Sequence, residues 1–193
     1  RGALEKSGVA PQAVAGIGFD ATCSLVVRAP DGGQVSISET GEARWDTISW
    51  LDHRALAEAD ECTASGHRVL DHVGGVMSPE MQVPKLMWLK RHRPRSWNSA
   101  GYFFDLTDFL TFRASGSSAR SQGTLTCKWT YLAHEDDGWQ RDFFEAVGVP
   151  DVLERGRLPE RPVPGGTDLG SLTPEAAAGL GLTTGCRVAA GLI

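Results

Sequence analysis

The sequence is short of several features, and each shortage removes a class of function. Its four cysteines (Cys23, Cys62, Cys127 and Cys186) lie far apart, and no C-x-x-C pair occurs. That spacing argues against a zinc ribbon or a disulfide framework, so a reducing compartment, the cytoplasm, is the expected setting. No apolar run is long enough to cross a bilayer, no charged-then-apolar leader opens the chain, and no membrane partner is expected. Basic charge is scarce: 19 Lys and Arg stand against 24 Asp and Glu, for a net charge of -5. A nucleic-acid surface needs the opposite balance, so none is expected. The nearest basic group, Lys85, Lys90, Arg91, Arg93 and Arg95, reads as the solvated end of a helix. Neither G-x-x-x-x-G-K-[ST] nor G-x-G-x-x-G is present, so the two common phosphate-cradling loops are missing. Cys62, His67 and His72 are spaced by five residues, which places them on different helical faces and predicts no metal site. There is no internal repeat.

The 193 residues, 41% of them hydrophobic, suffice for one large domain, or one domain and part of another. Small and apolar residues 14–19 suit a strand covered on both faces. Residues 25–27 (LVV) suit a second strand, ended by the turn Pro30-Asp31-Gly32-Gly33. The two strands read as a hairpin with Asp20, Ala21, Thr22 and Cys23 at its tip. Short strands are also expected over 34–38, 47–51, 102–106 and 186–193. Helices are expected over 55–64, from Ser78-Pro79-Glu80 to Pro94, and from Thr107 or Asp108 to Gly116. Further helices are expected around 127–131, over 139–147, and from Thr173-Pro174-Glu175 to Gly181. Pro84 inside the second of these predicts a kink or a delayed start. Residues 150–166, rich in Pro, Gly and Arg, read as loop. Strands alternating with helices make the class α/β.

Three places could carry chemistry. At the tip of the hairpin, Asp20 and Thr22 are either a polar turn or hydrogen-bonding partners for a small ligand. Asp52-His53-Arg54 stands at a strand-to-helix junction. Asp52 is either a helix cap beside a surface arginine or, with Arg54, a ligand contact. Lys128 is a lone cation in the segment CKWTY. It either snorkels to solvent or donates into a cleft.

Taken in order, six segments resemble a known family: GIGFDATCSLVV (16–27), WLDHRA (50–55), VGGVMSPEMQ (73–82), PKLMWLK (84–90), FFDLTDFL (103–110) and CKWTY (127–131). The chain resembles the FGGY family of carbohydrate kinases, in its pentulose (ribulokinase-like) branch, from about Val14 to Ile193. The resemblance implies a ribonuclease-H-like α/β domain of the actin/hexokinase-like ATPase superfamily, a mixed sheet with flanking helices. Residues 1–193 would be most of the N-terminal sugar-binding domain. Its first phosphate-loop hairpin and the C-terminal ATP-binding domain would lie outside the chain, and the catalytic aspartate just after Ile193. The implied activity is ATP-dependent phosphorylation of a ketopentose such as D-ribulose, with ATP and Mg²⁺ as cofactors and the fragment itself inactive. By the resemblance, Asp20, Ala21 and Thr22 contact sugar hydroxyls and Lys128 touches the ketose. Glu80 lies near a substrate-contacting position, and Asp52 and Arg54 line or buttress the pocket. A neutral polyol calls for such bidentate and neutral partners. The other expectation is a ligand-sensing or interaction protein on the same scaffold. A truncated core edge would also favour association, so a homo-oligomer is one expectation.

Overall fold

Two three-stranded sheets share out the strands, and the chain crosses between them at the segment of greatest interest. The computed structural model describes residues 1–193. Helix α1 (Gly2–Ser7) leads to strand β1 (Gly16–Ile17), then β2 (Leu25–Arg28) and β3 (Thr47–Ile48). Helices α2 (Leu56–Ala64), α3 (Gln82–His92) and α4 (Pro94–Ser99) precede β4 (Tyr102–Asp105). Helices α5 (Leu106–Ser115), α6 (Gln122–Lys128), α7 (Arg141–Ala146) and α8 (Val152–Arg155) follow. Strand β5 (Asp168–Ser171), α9 (Pro174–Leu180) and β6 (Arg187–Ala189) complete the order.

The first sheet runs β3-β2-β4, antiparallel throughout, with Leu25 opposite Ile48 and Val26 opposite Phe104. All four residues of β2 are buried, which is why its apolar run carries no polar alternation. The second sheet runs β1-β6-β5. Its β1 and β6 are parallel, with Ile17 opposite Val188, and β5 and β6 are antiparallel with an irregularity between Asp168 and Ser171. The main core surrounds the first sheet and includes Leu25, Ile48, Leu86, Phe103 and Trp129. A much smaller core of Ala114, Leu172, Ala177, Cys186 and Val188 sits beneath the second.

Several expectations are corrected here. Residues 14–19 and 25–27 do not form a hairpin: β1 belongs to one sheet and β2 to the other. Strand β1 is not covered on both faces, since Gly16 is exposed and Ile17 only half-buried. Its partner is β6, far along the chain, and residues 18–24 cross between the sheets without a reversing turn. The strand expected over 34–38 reduces to a bridge between Gln34 and Arg28. The strands expected over 47–51 and 186–193 are regular only at β3 and β6. Strand β5 was not anticipated, because its DLGS sequence has no apolar alternation. Ser78, Pro79 and Glu80 precede the helix instead of starting it. The helix begins at Gln82, so the delayed start holds and Pro84 falls in the first turn, where its missing N–H costs nothing. Pro94 opens α4 as well as closing α3. Helix α6 ends at Lys128, so residues 129–131 lie beyond it, and α7 is shorter than 139–147. The 150–166 loop contains one helical turn, α8. Lys85 is fully buried, not part of a solvated helix end.

The capping signals read as expected elsewhere. Thr173 accepts from the Ala176 N–H at the start of α9, and Gly181 takes the left-handed conformation (φ 75°) that ends it. Gly116 ends α5 in the same way, at φ 78°.

Candidate functional site

A buried carboxylate joins the elements that carry most of the expected site residues. Asp105 closes β4 and is fully buried. One of its oxygens accepts from Gln82 Nε2 in the first turn of α3, at 2.5 Å. The other accepts from Trp129 Nε1, one residue beyond Lys128. Gln82 Nε2 also donates to the Cys23 carbonyl at 2.9 Å. The segment after Asp20, the start of α3, the end of β4 and the end of α6 are thus held by one polar junction. Burial pushes the Asp105 carboxyl up to about 7, with the nearby Asp108 adding to the rise; the Trp129 and Gln82 hydrogen bonds and the Lys85 charge oppose it. Asp108 is also pushed up by burial. It accepts from the Ser121 N–H at 2.9 Å and from the Thr124 hydroxyl at 2.6 Å.

A second set of contacts fixes residues 22–24 against the 49–50 turn. Ser24 Oγ accepts from the Trp50 N–H at 3.1 Å and lies 3.2 Å from Thr22 Oγ1. Lys85 reaches the same turn from α3, its Nζ donating to the carbonyl oxygens of Ser49 at 3.1 Å and Trp50 at 3.5 Å. Burial lowers its affinity for a proton, the charge of Lys128 lowers it further, and the charges of Asp105 and Asp52 raise it.

The expected site residues divide by how free they are. Asp20 is exposed, and its carboxylate has no hydrogen-bond or ion-pair partner. Its backbone forms a parallel bridge with Leu192, whose N–H donates to the Phe19 carbonyl at 3.0 Å. The Leu192 carbonyl accepts from Thr107 Oγ1 at 2.8 Å, tying this end of the chain to α5. Ala21 is half-buried and Thr22 exposed. Lys128 is half-exposed at the end of α6, also without a side-chain partner. Thr130, two residues on, takes φ 60°, a left-handed conformation rarely used by a β-branched residue. That backbone turn directs the chain away just after Trp129 is anchored.

Asp52, Arg54 and Glu80 are already paired. Asp52 does not cap α2, whose N-cap is Ala55 without a side-chain bond. It accepts instead from the Arg54 N–H at 2.9 Å and from the guanidinium at 2.5 Å. A carboxylate two residues before an N–H folds back on it more readily than it reaches a helix four residues on. Those hydrogen bonds hold the Asp52 carboxyl below its ordinary value. Arg54 also stacks on Trp88, 4.7 Å from the ring centre. Glu80 Oε1 lies 3.2 Å from His53 Nε2. These three residues brace the 49–54 turn. Asp20 and Thr22 are exposed and Lys128 half-exposed, so these three side chains are open to solvent.

The profile of the FGGY family of carbohydrate kinases, N-terminal domain, matches residues 1–193. This chain belongs to the FGGY family of carbohydrate kinases. Among its FGGY relatives, a human FGGY carbohydrate kinase domain-containing protein is 46% identical over 184 residues, covering 93% of this chain and 33% of the relative. A D-ribulokinase from Saccharomyces cerevisiae is 38% identical over 207 residues, covering 100% of this chain and 29% of that protein. The chain therefore spans about a third of the length of these relatives. The crystal structure of a xyloylose (xylulose) kinase from Brucella ovis superposes with a TM-score of 0.76 at 22% identity, covering 100% of this chain and 36% of that one. The fold is thus that of the FGGY sugar kinases, the actin/hexokinase-like ATPase fold.

Reading the residues alone missed Ser24, Gln82, Lys85, Asp105 and Trp129. One signal was available: Asp105 is a lone acid in the apolar strand YFFD, and a buried acid there needs partners from elsewhere. Which partners it finds depends on the fold.

Proposed function

We propose that this chain forms the sugar-binding face of an ATP-dependent pentulose kinase, with a ketopentose such as D-ribulose as substrate. The observation that carries the reading is the contrast between frame and face. Lys128 directly precedes the buried Trp129 anchor and the Asp20 backbone is bridged to Leu192, yet neither side chain has a partner in the protein. A free carboxylate and a free ammonium, with the Thr22 hydroxyl between them in character, suit the hydroxyls and carbonyl of a small neutral polyol. The D-ribulokinase relative, similar over the whole of this chain, supports the choice of ketopentose.

ATP and Mg²⁺ belong to the reading through the family. The 193 residues do not themselves build a place for them: they contain no glycine-rich phosphate loop and no cluster of three metal-ligating side chains. Phosphoryl transfer then belongs to the longer protein, this stretch alone being inactive. The role of this stretch is to bind and orient the sugar, which accounts for a large share of catalysis in phosphoryl transfer.

The test is a phosphoryl-transfer assay of the full-length protein against a panel of ketopentoses and polyols. Asp20→Ala and Lys128→Ala should each cut kcat/KM for ketopentoses at least tenfold while the variants fold normally. Unchanged kinetics in both would remove these residues from the site.

A further inference from the structure

The frame contains one unpaired polar atom. Gln82 is fully buried, and its Nε2 serves both the Cys23 carbonyl and Asp105, but its Oε1 has no partner. An orphaned buried acceptor on the same side chain that bridges two site elements is costly and calls for a reason. Asp105 supplies one. As a carboxylate it only accepts, and both its oxygens are taken by N–H donors. Once protonated it must donate, and neither Gln82 Nε2 nor Trp129 Nε1 can accept. Gln82 Oε1 can, after a half-turn of its amide. That turn would carry Nε2 away from the Cys23 carbonyl.

We propose that Asp105 and Gln82 form a proton-linked latch. In this latch the ionised carboxylate locks the residue 20–24 segment in register with Lys128, and protonation swings the Gln82 amide and frees the Cys23 carbonyl. Asp105 is then a positioning residue: it touches no sugar and acts through Cys23 on one side and Trp129 on the other. The groups facing it are few. They are Lys85 from α3, Asp108 from α5, Arg120 from the segment before α6, and Cys127 from α6. The nearby acid, Asp108, favours the proton and the cations oppose it. The opposing influences leave Asp105 close to neutrality, where a latch can respond.

As it bears on sugar affinity, the inference rests on the pentulose-kinase reading. Its physical part does not. In the full-length protein, the Trp129 indole N–H resonance, assigned through Trp129→Phe, should shift with pH through a single midpoint near neutrality. The Gln82 side-chain amide resonances should move with the same midpoint. Asp105→Asn should abolish both titrations. With D-ribulose as substrate, KM should rise about tenfold from the alkaline to the acid side of that midpoint, with kcat little changed, and Gln82→Met should flatten that KM profile. A Trp129 resonance that does not titrate, or that titrates equally in Asp105→Asn, overturns the latch. So does a KM for D-ribulose that stays flat across the midpoint, or one that still varies in Gln82→Met. If the resonances titrate but the wild-type protein neither binds nor phosphorylates any ketopentose, the sugar reading fails and the latch stands.

Discussion

The two sheets differ in how deeply they are set, and the site straddles the difference. Strands β3, β2 and β4 sit in a core of 29 buried hydrophobic residues, whereas β1, β6 and β5 share one of only 5. The Gln82–Asp105–Trp129 junction and the Ser24–Trp50 contact belong to the deep side. Asp20 and its bridge to Leu192 belong to the shallow side. The proposed sugar-binding face thus has one half held by close packing, and another half held by a few backbone hydrogen bonds. Close packing suppresses motion more effectively than exposed hydrogen bonds do. Lys128 is therefore the better-fixed partner and Asp20 the more adjustable one.

The largest expected effect tests that contrast directly. Phe103→Ala, in the middle of the deep core, should cost about 3–5 kcal/mol, from lost burial and the cavity left behind. Val188→Ala, at the centre of the shallow core, should cost about 2 kcal/mol, since fewer methyl groups are lost and the surroundings relax more easily. Denaturant unfolding of both variants measures the difference. Equal losses would mean that the two sheets are one cooperative core.

A second effect is a slope with pH. Asp105 and Asp108 are both raised above the ordinary carboxylate range by burial, Asp105 to about 7. Below about pH 4 each is protonated both folded and unfolded and carries no penalty. As pH rises from there, the unfolded chain releases at each group a proton that the folded chain keeps, for Asp105 until about 7. Stability should therefore fall with rising pH, by at most about 1.4 kcal/mol per pH unit for each group, and level off above the folded value. Asp105→Asn should flatten part of that fall. Unfolding across this window, wild type against variant, checks the sign. A wild type that gains stability over the same interval on account of these groups would place them in a wetter interior than the contacts suggest.

The smallest effect belongs to the shallow side. Arg113 of α5 and Glu175 of α9 pair at 2.8 Å, but their side chains are 51% and 82% exposed. A double-mutant cycle should return less than about 1 kcal/mol, and less still at high salt. A larger coupling would show that this ion pair, and not the small apolar cluster, holds α9 against the rest.

Much of the fold was legible in the sequence. The apolar run of β2, the Thr173 cap, and the glycines that end α5 and α9 are local signals with local causes, and they read as the structure has them. The candidate site was legible only in part. Asp20, Thr22 and Lys128 could be singled out as polar groups in apolar company, but one of the two readings of Asp52, the helix cap, fails. Its competing choice, a turn closed on the Arg54 N–H, is also local and just as consistent with the residues. The hairpin reading failed for a different reason. Two adjacent strand-like runs favour the short connection by default, and nothing in residues 14–27 announces a partner at 187–188.

What the sequence determined by itself was the alternation of strands and helices, most of the helix stops, and the motif order that marks an FGGY carbohydrate kinase. What only the tertiary structure decided was which strands pair, and which side chains meet Asp105. Capping and periodicity act within a few residues of chain. Sheet pairing and the satisfaction of a buried carboxylate act through space, between Gln82, Asp105 and Trp129, and are fixed only when the whole core closes around them.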